Sequence, residues 1–175
     1  MRWLKSARKE GWGGAQYRLS RAAFASFFRE RFGRTVILLI AMGASRADAE
    51  DAVQEAMILA WSQWNAIEEP AAWVRTVAVR KHWKQARSRR QTVPLEEVAE
   101  FASDNDLATL AEEQQQVLRL LRNLPAQQRT VAALHFDGLA YEDIAELTGK
   151  SPATVRSNLR HARNALKELV ASGAL

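Results

Sequence analysis

The chain has 175 residues, no cysteine, 47% apolar residues and a formal net charge of +5, with an isoelectric point of about 10.0. That length suits one large or two small domains; the apolar content excludes a disordered chain, and the missing cysteines exclude a disulfide frame and a thiolate site. The basic balance points to an acidic partner, nucleic acid first and a membrane surface second.

Residues 1–19 are basic and carry Trp3, Trp12 and the Gly13-Gly14 pair; they read as a loosely ordered arm, of the kind that is usually just solvated. The opening MRWLKSARKEGWGG lacks the apolar core and cleavage site of a secretory signal. Ser20 reads as the cap of the first helix, with Phe24, Phe27, Phe28 and Phe32 at helical spacing as core. The apolar run Val36 to Met42 continues or follows that helix and ends at Gly43. It is far short of the ~20 residues that span a bilayer, so no membrane insertion is expected and the protein is expected to be cytoplasmic.

Ser45 and Asp48 form a capping box that opens the next helix. Val53, Ala56, Met57, Ala60 and Trp64 share one face, which should be buried. The opposite face carries Asp51, Gln54 and Glu55 with Ile58 among them. An acidic face with an apolar centre fits a protein interface, and a solvated face with one isolated isoleucine fits the spacing equally well.

Asn65 to Glu69 reads as a short loop, and Pro70 starts a further helix anchored by Trp73, Val74 and Val77. From Arg80 to Arg90 the chain has six Lys or Arg and no acid, with Trp83 inside the run. Cations for phosphates and a ring for stacking suit single-stranded nucleic acid, with Arg80, Lys81, Trp83, Lys84 and Arg87 as the candidates. The alternative is a solvated helix end with Trp83 turned into the core. Residues 91–108 then read as a linker broken at Pro94 and at Ser103 to Asp106. The wider stretch 91–116 has seven acids and no Lys or Arg.

From Leu107 onward a stripe of Leu110, Gln114, Leu118 and Leu121 packs a helix onto the three helices after it. The first of these begins at Pro125 and ends near Phe136. A short one covers Tyr141 to Leu147, with Glu142 and Asp143 in the first turn, where the helix dipole favours acids. Gly149 follows its end. Ser151 is the N-cap of the last helix and Pro152 its first residue. Val155, Leu159, Ala162, Leu166 and Leu169 make a buried stripe beside a basic one of Arg156, Arg160, Arg163 and Lys167. A short helix, a glycine turn and a helix of this kind describe a helix-turn-helix, whose second helix would enter the DNA major groove. An ordinary helical hairpin with a charged face is the alternative. The candidate duplex-binding residues are Ser151, Ala153, Thr154, Arg156, Ser157, Arg160 and Arg163.

The stretch LPAQQRTVAALHFDGLAYEDIAELTGKSPATVRSNLRHAR resembles the promoter-reading C-terminal domain of sigma-70 family sigma factors, and most of all the small extracytoplasmic-function (ECF) class. DAEDAVQEAMILAW resembles the sigma-factor helix that grips the clamp coiled coil of RNA polymerase, with Asp51, Gln54 and Glu55 at its polar positions. The basic run around Trp83 is similar to the segment that melts and reads the minus-ten element. The resemblance implies an all-α protein of two small helical domains joined by an acidic linker: residues 20–90 for polymerase and the minus-ten strand, and 109–175 for the minus-thirty-five duplex. Its function would be promoter-specific transcription initiation with core RNA polymerase, and an anti-sigma factor is a further implied partner. No cofactor, metal or chemistry of its own is expected: His82, His135 and His161 lack metal-ligand spacing, and no G-x-S-x-G, Walker loop or HExxH occurs. No further domain is expected after Leu175. Two rivals remain: a free-standing helix-turn-helix regulator, which leaves the helix around Asp51 unexplained, and an enzyme acting on nucleic acid, which would need a carboxylate or metal cluster that the sequence does not offer.

Overall fold

The structure, a computed structural model, describes residues 14–92 and 110–173. Among the described residues there are seven α-helices and no strand: α1 Gly14–Met42, α2 Arg46–Ser62, α3 Pro70–Thr92, α4 Glu112–Arg122, α5 Ala126–Phe136, α6 Tyr141–Thr148 and α7 Pro152–Ala171. Most of the basic arm and most of the acidic linker lie outside the described residues. The fold divides into two units. One holds the described residues up to Ile37 and from Ala47 to residue 92; the other holds Leu38–Arg46 and residues 110–173.

In the first unit, α1 starts at Gly14, ahead of the expected cap. Ser20 therefore lies inside the helix, buried, and its hydroxyl donates to Asn65 Oδ1 at 3.1 Å. No proline interrupts Gly14–Met42, and even a Cβ added at Gly33 in its middle would meet nothing within 4 Å among the described residues, so nothing local stops the helix. The phenylalanine stripe is a half-open layer and not the closed core expected of it. Phe28 is 37% exposed, while Phe24 packs on Trp61 and Trp64 with ring centroids 5.1 Å apart in each case. Trp64 leaves α2 for a 3-10 turn, Trp64–Ala66, that runs into the expected loop. It is half-buried there and not sealed on the helix face.

Helix α2 buries Ala49, Ala52, Val53, Ala56, Met57 and Ala60. This is the three-and-four spacing of one helical face, and its four alanines let neighbours approach closely. Helix α3 starts at Pro70. It buries Trp73, Val74, Ala78 and Val79, and Val77 is only half-buried. Two of the three expected anchors, Trp73 and Val74, are thus buried, and Ala78 and Val79 take the place expected of Val77.

In the second unit, α4 starts at Glu112, so Gln114 sits exposed in its first turn and does not join the stripe of Leu118 and Leu121. Pro125 is the cap of α5 (φ −52°, ψ 143°), and the helix begins one residue later than expected. The core is Val131, Leu134, Ile144, Val155 and Leu159, each at most 1% exposed. Burying a side chain of this size contributes about 1.5–3 kcal/mol.

Arg129 of α5 is 5% exposed, although nothing local in the sequence marks it as core. Its guanidinium donates to the carbonyls of Met42 at 3.4 Å and of Arg122 and Leu124 at 3.5 Å. The Met42 and Arg122 oxygens end α1 and α4, where helix dipoles present negative charge, and that of Leu124 lies in the turn after α4. Burial, and secondarily the charge of Arg122, push its pKa below the usual value, but a guanidinium stays charged in proteins. Gly43 is required beside it on two counts. Its φ is +109°, and a Cβ there would lie 2.8 Å from Nη2 of Arg129. Arg129→Met keeps the bulk and strands those carbonyls. It should cost about 2–3 kcal/mol, since hydrogen bonds from a charged group contribute about 1.5–3 kcal/mol. Thermal unfolding should show this as a fall of about 8–15 °C; a variant melting within about 3 °C of the parent would contradict this role for Arg129.

Candidate polymerase and nucleic-acid interfaces

Asp51, Gln54, Glu55 and Ile58 all lie exposed on one face of α2, opposite its buried alanines and Met57. Ile58 is 61% exposed, and Leu59 beside it, which spacing alone does not single out, is 38% exposed. The face thus carries a pair of adjacent apolar side chains among acids, more than the single isolated isoleucine that needs no explanation.

On α3, Lys84 and Arg87 are exposed, while Arg80, Lys81 and Trp83 are half-buried. Trp83 stands four residues after the buried Val79, at the edge of the packed stripe. Lys81 Nζ donates to Glu55 Oε2 across 26 residues, so the structure joins one residue expected to face polymerase with one expected to face DNA. Their side chains are 34% and 48% exposed. A pair this open contributes about 0–1 kcal/mol and exchanges readily for another partner.

The helix-turn-helix follows from local chemistry. Gly149 ends α6 in the left-handed region (φ 68°), where glycine carries no steric penalty. Ser151 then caps α7: its oxygen accepts from the Thr154 amide at 3.1 Å, and Pro152 occupies the first turn. The Ser151 and Thr154 hydroxyls also bond each other at 2.9 Å. The Ser151 and Thr154 hydroxyls are therefore already engaged. Lys150 Nζ donates to Gln127 Oε1 at 3.2 Å and ties the turn to α5. Helix α7 buries Val155, Leu159 and Ala162, while Leu166 and Leu169, expected to extend that stripe, are half-buried. Ala153, Arg156, Arg160, Arg163 and Lys167 are exposed and Ser157 is half-buried.

One cluster is not foreseeable from sequence. Arg163 Nη2 donates to His135 Nε2 at 2.9 Å, and the His135 ring stacks on Tyr141 with centroids 5.4 Å apart and planes 15° from parallel. The three residues come from α7, α5 and α6. In the sequence His135 draws notice only as a metal ligand to be excluded. Its sole local hint is the last turn of α5, where a basic residue suits the helix dipole.

Residues 17–92 match the family model for sigma-70 region 2, and residues 107–166 match that for sigma-70 region 4. The ECF RNA polymerase sigma factor SigF of Caulobacter vibrioides is 32% identical over 136 residues, 73% of each chain. The chain belongs to the ECF sigma factors. The RNA polymerase sigma-E factor of Streptomyces coelicolor is 31% identical over 69% of this chain and 71% of its own length. Among solved structures, the sigma factor RpoE of Bartonella quintana, in complex with the anti-sigma factor NepR, superposes with a TM-score of 0.65 at 25% identity, over 85% of this chain and 96% of that one. This sigma factor is accordingly a transcription initiation factor that works with RNA polymerase and promoter DNA, and is not an enzyme. A region 2 match in the N-terminal half disfavours the free-standing regulator, which has no use for it. Among the described residues, no helix is long and apolar enough to cross a membrane.

Proposed function

We propose that the outer face of α2 is the surface by which this sigma factor grips core RNA polymerase. The carrying observation is Ile58, 61% exposed with Leu59 beside it, framed by Asp51, Gln54 and Glu55. Acids repel phosphate, so this face does not serve DNA, and its exposure leaves little for it to add to folding. A basic, partly apolar helix of polymerase explains both features: Ile58 is the anchor and the carboxylates set orientation and on-rate. A photo-crosslinking residue in place of Ile58 tests this. It should label the clamp coiled coil of RNA polymerase; labelling elsewhere, or none, sinks the assignment.

The N-terminal helices, about residues 20–90, then also hold the melted minus-ten strand through Arg80, Lys81, Trp83, Lys84 and Arg87 on α3. The C-terminal helices, about residues 109–175, bind the minus-thirty-five duplex through Ser151, Ala153, Thr154, Arg156, Ser157, Arg160 and Arg163. The protein works in the cytoplasm, where core polymerase is, and a protein of the anti-sigma class is its regulatory partner. The half-open ring of Trp83 supports a stacking role, worth about 1–3 kcal/mol per base. Trp83→Ala should therefore reduce promoter opening, read by permanganate reactivity, while assembly with core polymerase stays intact. A fall in melting temperature beyond about 12 °C, equivalent to roughly 3 kcal/mol in a domain of this size, would assign the ring to the core instead.

A further inference from the structure

We propose that His135 is a positioning residue for the duplex interface: it holds the Arg163 guanidinium as a phosphate clamp at the far end of α7, so that Arg163 supplies affinity and no sequence choice. This rests on the reading of α7 as the recognition helix.

The chemistry of the pair fixes the state of the imidazole. A guanidinium only donates hydrogen bonds. The contact from Arg163 Nη2 to Nε2 therefore makes Nε2 the acceptor and leaves the ring neutral, with its proton on Nδ1. That Nδ1 is buried and has no hydrogen-bond partner among the described residues. A buried donor without a partner is unfavourable, and a phenylalanine would stack on Tyr141 without that penalty. Stacking alone thus does not account for histidine at this position. What the imidazole adds is the Nε2 lone pair, and Arg163 is what uses it. The contact also brings the cationic end of Arg163 to the C-terminal turn of α5, where the helix dipole favours positive charge. A long, flexible side chain is ordered before any ligand arrives, which removes part of the ordering cost from binding. Among the described residues one of the five guanidinium donors is used, and the others remain for phosphate oxygens.

Position along the helix decides what Arg163 meets. At 1.5 Å per residue from Pro152, Arg156 lies about 6 Å along α7, Arg160 about 12 Å and Arg163 about 16 Å. The first residues of a recognition helix contact base edges, and the major groove is about 12 Å wide. Arg156 falls within the groove, Arg160 at its wall, and Arg163 beyond it at the level of the backbone. Phosphate contacts carry register and affinity but no sequence information.

The test uses the full chain assembled with core RNA polymerase and two duplexes. One is selected by that holoenzyme from a library randomised over the minus-thirty-five element; the other has the same element scrambled. Arg163→Ala should lower affinity about five- to tenfold on both alike, as loss of a phosphate contact does. His135→Phe keeps the stack and removes the acceptor; it should lower both about three- to fivefold, and Arg163→Ala added to it should then cost less than about twofold more, because coupled residues are not additive. His135→Gln, whose side-chain oxygen can accept from the guanidinium, should restore affinity. Parental or higher affinity in His135→Phe, independent effects of the two changes, failure of His135→Gln to rescue, or an Arg163→Ala loss confined to the selected duplex each overturn the proposal. If Arg156→Ala and Arg160→Ala also leave both affinities unchanged, the recognition-helix reading has failed and takes this proposal with it. If those two variants lose affinity while His135→Phe does not, only this proposal is overturned.

Discussion

A chain carrying Asp51→Lys and Ile58→Glu is expected to fold as the parent does and to lose its grip on core RNA polymerase. Both side chains stand on the exposed face of α2, away from Ala52, Val53, Ala56, Met57 and Ala60, which hold the helix in place. Surface substitutions of this kind usually change stability by no more than about 0.5 kcal/mol, so the circular dichroism spectrum and melting temperature should hardly move. Binding is a different matter. Truncating an apolar anchor at an interface commonly costs about 2 kcal/mol or more; a carboxylate in its place adds desolvation, and reversing the charge of Asp51 removes the electrostatic match that sets on-rate. Together about 3–5 kcal/mol is expected, a loss of a hundredfold or more in affinity. Glu55 is better left alone, because its pair with Lys81 would carry any change into the basic run of α3. Parental affinity for core polymerase in the double variant would remove the interface reading of α2.

The second large effect is expected at the recognition helix. Arg156 and Arg160 are exposed, one turn apart, beside the buried Val155 and Leu159. An arginine that meets a base edge provides about 1–3 kcal/mol of discrimination, whereas one on a phosphate weakens all sequences alike and lowers the salt slope by about one. The double change Arg156→Ala with Arg160→Ala should therefore weaken holoenzyme binding to a selected minus-thirty-five duplex by about 2–4 kcal/mol. The loss should be smaller on a scrambled one if Arg156 reads base edges in the groove, as proposed. Unchanged affinity at two salt concentrations would contradict the assignment.

Sequence makes legible what short-range chemistry decides. The start of α7 is legible because Ser151 and Pro152 are neighbours with a fixed role at helix starts. The left-handed Gly149 is legible for the same reason. The buried face of α2 is legible because its spacing repeats within one helix. What escapes depends on residues far apart in the chain. Ser20 looks like a cap because its partner, Asn65, lies 45 residues on. The phenylalanines of α1 have helical spacing, but spacing gives direction and not depth, and Phe28 stays 37% exposed. Gln114 looks like part of a stripe until the true start of α4 leaves it in the first turn. Arg129 reads as a surface charge, and its burial depends on helix-end carbonyls that periodicity does not report. His135 and Arg163 are 28 residues apart, and only the crossing of α5 and α7 brings them together. The roles of α2 and α3 come mainly from resemblance: physics marks their faces as unusual, and the family supplies the partners.

The central claim, that this chain gives core RNA polymerase its choice of start site, is tested most directly by transcription in vitro. Core polymerase freed of other sigma factors would be incubated with the full chain and a template carrying promoter elements selected by that mixture, and transcript starts would be mapped. One dominant start is expected downstream of the selected minus-ten element. That start should be absent with core alone and absent with the Asp51→Lys, Ile58→Glu variant. Specific binding of the chain to duplex DNA with no association with core polymerase and no defined start would contradict the claim, and would point instead to a free-standing helix-turn-helix regulator.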